Sequence, residues 1–390
     1  MYSNLSLIFK RVVVILPKIS VVEISAAYHA TGALRRVTLL KTMGSFTSAH
    51  KILNEDTADN DLIFNNISSW DDLRLRCEEE LSFLPPKINR NFQKRAGKKD
   101  ANESNSQIRV MQWNILSQAL ALSSDKFVAC PLDALSWWTR RWRLLEEMAS
   151  TQPDILCFQE VDHYQFFKHS LGSLGFRGTF FPKPDSPCFY IAGNNGPDGC
   201  AIFVDAKKFE ILDTKTRCLE VWGYQSNQVA ILCKLRRKMD NAEFWIATTH
   251  LKARTGPLLA TMRREQGKDL MDFIKLFSGS SPVIVTGDFN ASPTESVYQT
   301  ITKDDTFPLE SAYRCLSNRN QEPLYTTWKI REDGEYCQTL DYIFYTKNSI
   351  DVESALHLPT AEDIGEGRVP SYRYPSDHFS LVADLSLVQS

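Results

Sequence analysis

From Ile108 onward, short apolar runs alternate with amphipathic stretches. The runs Ile108–Leu116, Asp154–Val161, Gly199–Val204, Gln228–Leu235, Glu243–His250, Pro282–Gly287, Leu340–Tyr345 and Phe379–Leu385 have the length and β-branched, aromatic character of buried strands. Between them, Trp138, Trp142, Leu145 and Met148 recur at helical spacing, and Leu259, Met262, Leu270, Phe273 and Phe277 do so after Pro257, a residue suited to a first helical turn. These aromatics are expected in the core. Alternating strands and helices of this kind predict an α/β domain over residues 108–390.

Ahead of that domain the pattern loosens. Residues 60–84 carry scattered Leu, Phe and Trp, with Leu73, Leu75 and Cys77 at the start of a predicted helix that Pro85-Pro86 ends. The stretch Lys87 to Gln107 is rich in Lys, Arg, Asn and Ser, with Ile88 and Phe92 its large apolar residues, and is expected to be a flexible linker within a partly helical segment 43–107. No repeat is present, leucine-rich or otherwise.

The first 50 residues set Lys10, Arg11, Lys18, Arg35, Arg36 and Lys41 against the single acid Glu23, the composition of a mitochondrial transit segment, assigned here to residues 1–42. A secretory signal competes poorly, because Pro17 and Lys18 break the apolar stretch Val12 to Val22, which is also too short to span a bilayer. Met43-Gly44-Ser45-Phe46-Thr47-Ser48 fits the N-myristoylation pattern if translation starts at Met43. The expectation is a mitochondrial full-length chain and a cytoplasmic, perinuclear or nuclear form beginning at Met43. One acyl chain on Gly44 would give only weak membrane association. No transmembrane segment is expected.

Composition narrows the chemistry. With 43% hydrophobic residues the chain can bury a sizeable core, and its net charge of −2 argues against general polyanion affinity, so phosphate recognition has to be local. The nine cysteines contain no C-x-x-C pair and read as reduced thiols.

Polar residues gather where the apolar runs end. Asn114 follows Met111-Gln112-Trp113, and Glu160 closes Phe158-Gln159-Glu160, offering a carboxylate oxygen to a hard cation. If the strand continues past Thr249, His250, Lys252 and Arg254 share one face, a grouping suited to phosphate. In Gly287-Asp288-Phe289-Asn290, Asp288 can orient or deprotonate a water and Asn290, expected to point the same way, can donate to phosphoryl charge. Leu340-Asp341 and Ser376-Asp377-His378 add a carboxylate to orient an imidazole, Asp341 being preferred to Asp377 as the partner of His378.

In that order these elements resemble the exonuclease–endonuclease–phosphatase superfamily. The resemblance implies a four-layer sandwich of two packed β-sheets flanked by helices, with a site at one sheet edge. It also implies hydrolysis by direct attack of water, dependent on Mg²⁺ (Mn²⁺ possible) held at Glu160. Phe181-Pro182-Lys183-Pro184, Asn194-Asn195-Gly196-Pro197-Asp198-Gly199-Cys200 and His250-Leu251-Lys252-Ala253-Arg254 look like its deadenylase branch. By that resemblance Lys183, Lys252 and Arg254 line a substrate pocket, Asn227 reaches the substrate phosphate and Arg331 closes the rim. Broader deadenylases often carry an aromatic residue after their His-Leu, so Lys252 and Arg254 are a departure that favours a compact substrate. The implied activity is removal of the 2′-phosphate of NADP⁺ and NADPH. Poly(A) 3′-exonuclease action on RNA, with RNA-associated partners, is the alternative, and a non-catalytic scaffold the rival from another class.

Overall fold

The computed structural model describes residues 63–95, 107–123 and 125–388. The transit-like segment 1–42, Gly44 and residues 96–106 lie outside the described residues. Strands are numbered in chain order. One sheet has seven strands in the order β1 (Phe92–Lys94), β14 (Ile350–Leu356), β15 (Leu381–Leu387), β2 (Gln107–Asn114), β3 (Ile155–Gln159), β5 (Gly199–Asp205), β4 (Phe176–Pro182). The other has six, in the order β10 (Leu309–Ser311), β13 (Asp341–Thr346), β9 (Val283–Asp288), β8 (Glu243–His250), β7 (Tyr224–Arg237), β6 (Phe209–Val221). A two-stranded ladder, β11 (Thr327–Arg331) with β12 (Gly334–Gln338), stands apart from both.

The period of two along the second sheet sorts its side chains into two cores. Ile231, Cys233, Ile246, Ile284 and Ile343 face the first sheet, meeting Trp113, Cys157, Phe158 and Ile202 in one buried cluster. Their neighbours Leu232, Trp245, Val283, Val285 and Phe344 face outward into a second cluster with Leu270, Phe273 and Ile274 of the helix Pro257–Ser278. The helices Trp137–Thr151 and Tyr164–Ser173 contribute Leu144, Leu145, Met148, Phe166 and Phe167 to the first cluster. Two mixed sheets packed face to face and flanked by helices are therefore the expected four-layer sandwich.

Strand direction then places the chemistry. β2 runs parallel to β3, and β8 parallel to β9, while β13 and β15 run against them. The carboxyl ends of β2, β3, β8 and β9 and the amino ends of β13 and β15 consequently meet at one edge of the sandwich.

Two expectations need correction. The stretch read as a flexible linker is tied down in its first part: Ile88 is fully buried, Phe92–Lys94 pair with Ser354–Leu356, and Arg90 reaches the buried Glu147 at 3.1 Å. The helix Trp70–Glu80, capped by a box between Ser69 and Asp72, lies just ahead of it and buries Leu73 and Cys77. Low apolar content hid this segment because its anchorage is an ion pair and an edge strand rather than a hydrophobic stripe. Trp138, expected in the core, is 70% exposed and lies against the guanidinium of Arg141. The nine cysteines are free thiols, and burial pushes that of Cys157 up to about 12 and that of Cys233 to about 11, so these two are inert packing groups.

Candidate active site

Asn114, at the end of β2, is the joint between the two sheets. Its Nδ2 donates to Glu160 Oε1 and to Asp288 Oδ2, both at 2.9 Å, and the amide is oriented by Leu116 N–H donating to Oδ1 at 3.0 Å. Glu160 stands just past β3 with φ 57, a left-handed backbone that an unbranched acid adopts at some cost, and Ser117 N–H donates to its second oxygen at 3.1 Å. Glu160 is half-buried where Asp288 is buried.

Asp288 is the centre of the second-sheet half. It pairs in register with His250 on β8 and with Asp341 on β13. The Nε2 atoms of His250 and His378 lie 3.4 and 3.8 Å from the same Asp288 oxygen. Burial, with Asp341 beside it, pushes the Asp288 carboxyl up to about 6 although His378, Asn114 and the Asn290 N–H pull the other way.

The two imidazoles differ in charge, one cationic and one neutral. Burial works against protonation of His378, but Asp341, Asp288 and Asp377 outweigh it and lift its pKa to about 9. His378 Nδ1 donates to Asp341 Oδ2 at 2.8 Å, which is the orienting contact expected from the sequence. Asp341 is itself held by Thr326 Oγ1 at 2.6 Å and Gln112 Nε2 at 3.2 Å. Asp377 instead pairs with Lys329, which with His378 and Arg331 holds its carboxyl well below the usual range against burial. On the other side, burial and then the neighbouring Lys183 and His378 push His250 well below its ordinary value, leaving it neutral. Lys183 is buried, donates to Asp198 Oδ2 at 2.5 Å, and lies 3.4 Å from His250 Nδ1.

Asn114, Glu160, His250, Asp288, Asp341 and His378 are thus brought together as expected. Other expected placements differ. β8 stops at His250, so Lys252 and Arg254 do not continue its face; Leu251 is buried, Lys252 half-buried and Arg254 exposed at φ 75. Arg263 draws this loop inward by donating to the carbonyls of Lys252 and Arg254 at 2.9 and 2.7 Å, which overrides the strand period. Asn290, at φ 50, donates its N–H to Asp288 Oδ1 at 2.9 Å and its Nδ2 to Leu251 O at 3.1 Å. Asn227 is engaged with the Asp185 backbone, whose N–H donates to its Oδ1 at 2.7 Å and whose carbonyl accepts from its Nδ2. Arg331 sits at the rim, 2.8 Å from Asp125 and 3.6 Å from Asp377.

Sequence reasoning missed Lys329 as a site residue, quoted Asp198 only within a motif, and did not use Gln112 and Gln159, which hydrogen-bond each other and tie to Asp341 and Thr248 beneath the carboxylates. The available signal was a pair of Gln residues inside two apolar strands.

Two donor sets could take a divalent cation. Asp288, Asp341 and His378 each offer an atom within 4.8 Å of the others. His378 is cationic and its Nδ1 is committed to Asp341, which weakens that set. The edge formed by Glu160 and Asp288 across Asn114 fits better, being oxygen donors with one side open to solvent and an incompletely neutralised buried carboxylate.

The model of the Endonuclease/Exonuclease/phosphatase family matches residues 111–378, a span that begins in β2 and ends on His378. The chain belongs to the Endonuclease/Exonuclease/phosphatase family. Within this family it is 44% identical over 390 residues to Nocturnin of Drosophila melanogaster, covering 90% of this chain and 61% of that protein. It is 48% identical over 317 residues to Nocturnin of Homo sapiens, covering 80% of this chain and 72% of that one. The solved structure of the human Nocturnin catalytic domain with bound sulfate anion superposes with a TM-score of 0.64 at 42% identity, over 78% of this chain and 100% of that domain. The chain therefore spans under two thirds of the fly relative's length.

Proposed function

We propose that the chain is a divalent-metal-dependent phosphatase that removes the 2′-phosphate of NADP⁺ and NADPH, giving NAD⁺ and NADH. The observation that carries the phosphoesterase reading is the opposed pair of histidines on one carboxylate: His378 charged, His250 neutral, and both Nε2 atoms within 3.8 Å of Asp288 Oδ2. Phosphoryl oxygens seated there meet a fixed cation on one side and an uncharged ring on the other.

The residues divide the work as follows. Asp288 orients a water and takes its proton as the water oxygen attacks phosphorus; the bond to the 2′-oxygen breaks and the departing oxygen takes up a proton from solvent, leaving the ribose hydroxyl. His378 donates to a phosphoryl oxygen as charge builds, its ring held by Asp341. Asn114 fixes the separation of Glu160 and Asp288. Glu160 and Asp288 would hold the cation, Mg²⁺ with Mn²⁺ as a substitute; when bound it supplies Lewis-acid polarisation of the phosphoryl group.

The choice of the 2′-phosphate is supported by similarity to the nocturnins and by cations close around the site: Lys183 and Lys329 inside it, Arg331 and Lys252 at its rim. The test is direct. With Mg²⁺ and NADPH, the purified chain should release inorganic phosphate and NADH in equal amounts; absence of phosphate, or cleavage elsewhere in the dinucleotide, contradicts the reading. Exonuclease action on poly(A) stays the second reading because one observation favours it: Trp222, Tyr224 and Tyr190 are 61%, 80% and 60% exposed on elements leading away from the site. A scaffold role has no comparable support, since the cluster is complete.

A further inference from the structure

The β6–β7 hairpin runs past the catalytic edge. Ala230 pairs with Thr249, so Val229 stands level with His250, where β8 ends. The hairpin continues outward to Tyr224 and Trp222, five and seven residues further (229 to 224 and 229 to 222). At ~3.3 Å per residue its tip projects roughly 15–20 Å beyond the catalytic edge.

The arm is held along its length, up to the residue before its turn. Leu219 and Val221 are buried, Leu219 within the cluster under the helix Pro257–Ser278, and Gln266 of that helix donates to Ser226 Oγ at 3.1 Å. Asn227 clamps the arm to Asp185, two residues beyond Lys183, and Tyr190 donates to the Asp185 carboxylate at 2.7 Å. The residue expected from the sequence to touch phosphate is thus an anchor that fixes the arm to the loop bearing Lys183.

The tip is built against its own conformational preference. Trp222 and Gly223 both have positive φ, 54 and 79, the requirement of a type I′ turn, whose first position favours Asn or Gly. A bulky aromatic rarely adopts that region, and 61% of this one faces solvent. Packing does not explain a tryptophan held this way. Tyr224, paired with Val221 across the turn, is 80% exposed beside it. The Lys252 N–H donates to Gln266 Oε1 at 3.1 Å and the same Gln266 donates to Ser226 of the arm, so Lys252, half-buried on the loop leaving His250, is tied to the arm between Val229 and the tip. Exposed aromatics joined to a catalytic edge through a cation suit bases linked by phosphates.

We propose that Trp222 and Tyr224 form a base-stacking platform for a nucleobase that the substrate carries beyond the phosphate being hydrolysed. The inference rests on the reading that the site acts on a nucleotide phosphate. The stacked base has two possible sources, the distal ring of a dinucleotide or the following residues of a single strand.

The experiment uses Trp222→Asn and Tyr224→Ala in the full chain. Kinetics with Mg²⁺ are measured on NADPH and on adenosine 2′-monophosphate, which lacks a second base, and oligo(A) affinity is measured by fluorescence anisotropy in EDTA. Trp222→Asn supplies the residue the turn prefers, so its Tm should equal or exceed that of the wild type. Loss of one base stack should raise KM for NADPH about tenfold at unchanged kcat while adenosine 2′-monophosphate is unaffected, if the dinucleotide is the source. Weakened oligo(A) binding with unchanged NADPH kinetics assigns the platform to a strand. Unchanged NADPH kinetics and unchanged oligo(A) affinity overturn the proposal, as does a parallel loss on adenosine 2′-monophosphate, which would place the defect in the catalytic edge. If the wild type releases no phosphate from either nucleotide, the proposed function fails, and the anisotropy measurement alone decides the platform.

Discussion

The molecule holds two buried charge clusters that differ in one respect. Around Glu147, Lys87 and Arg90 lie at 3.0 and 3.1 Å, Ser380 Oγ donates at 2.9 Å, and the rest of the Arg90 guanidinium donates to the Ser380 and His357 carbonyls. Burial opposes its charge, but Lys87 and Arg90 hold the Glu147 carboxyl below its ordinary value. Around Asp288 the compensation is incomplete: its carboxyl is lifted to about 6, one imidazole is lifted to about 9, and the other is driven down. A completed network fixes structure, while an incomplete one keeps protonation states poised for chemistry.

The sharpest way to break this comparison is to remove one member of each cluster. Glu160→Ala should lower kcat/KM by more than the roughly hundredfold typical of losing a residue that only supports a metal ligand, with Tm nearly unchanged. Glu147→Ala should do the reverse, leaving Lys87 and Arg90 without their carboxylate and costing about 3–5 kcal/mol of stability by denaturant titration, with kcat intact at permissive temperature. Equal Tm losses in the two variants would remove the distinction.

Asp198→Asn sharpens the boundary between the clusters. Asp198 is fully buried and touches no reacting group, but it neutralises Lys183, which stands 3.4 Å from His250. We expect kcat to fall about tenfold to a hundredfold with KM less affected, as for a residue that positions another, and Asp198→Glu to recover part of the loss. A purely structural Asp198 would lower Tm and leave kcat of the folded protein unchanged.

The smallest effect concerns pH. Because the folded-state pKa of Glu147 is depressed, its contribution is complete above the ordinary carboxylate value of 4.5 and is lost as pH falls below it. Stability measured from neutral pH downward should therefore decline less steeply in Glu147→Gln than in the wild type below that value. Parallel curves would show that the carboxylate is not held as described.

How much of this was legible in the sequence follows from the same contrast. The eight predicted strands coincide with observed strands, because both faces of the central strands are buried and their apolar runs are continuous. β1, β4, β6, β10, β11, β12 and β14 were missed: β1 and β10 are three residues long, β4 is half-buried along most of its length, β6 and β14 alternate or mix polar residues, and β11–β12 is a largely exposed ladder. The clustered polar residues were legible because each sits at an end of an apolar run, Asn114, Glu160, His250 and Asp288 after one and Asp341 and His378 before one. Lys329 and the role of Asp198 were not, since their significance lies in partners 48 and 15 residues away. The His250–Arg254 face failed where Arg263, which no local period reveals, draws the loop inward. Lys87 and Arg90 looked like linker because charge content alone does not distinguish a solvated segment from one anchored on a buried acid.

The most direct test of the central claim compares two substrates in one Mg²⁺-replete preparation whose Glu160→Ala variant is inactive. NADPH and oligo(A) are supplied separately at matched concentration, and kcat/KM is taken from phosphate release and from strand shortening. The account predicts that phosphate release from NADPH dominates and that both activities vanish in the variant. Dominant shortening of oligo(A), with little phosphate from NADPH, would contradict the 2′-phosphatase reading.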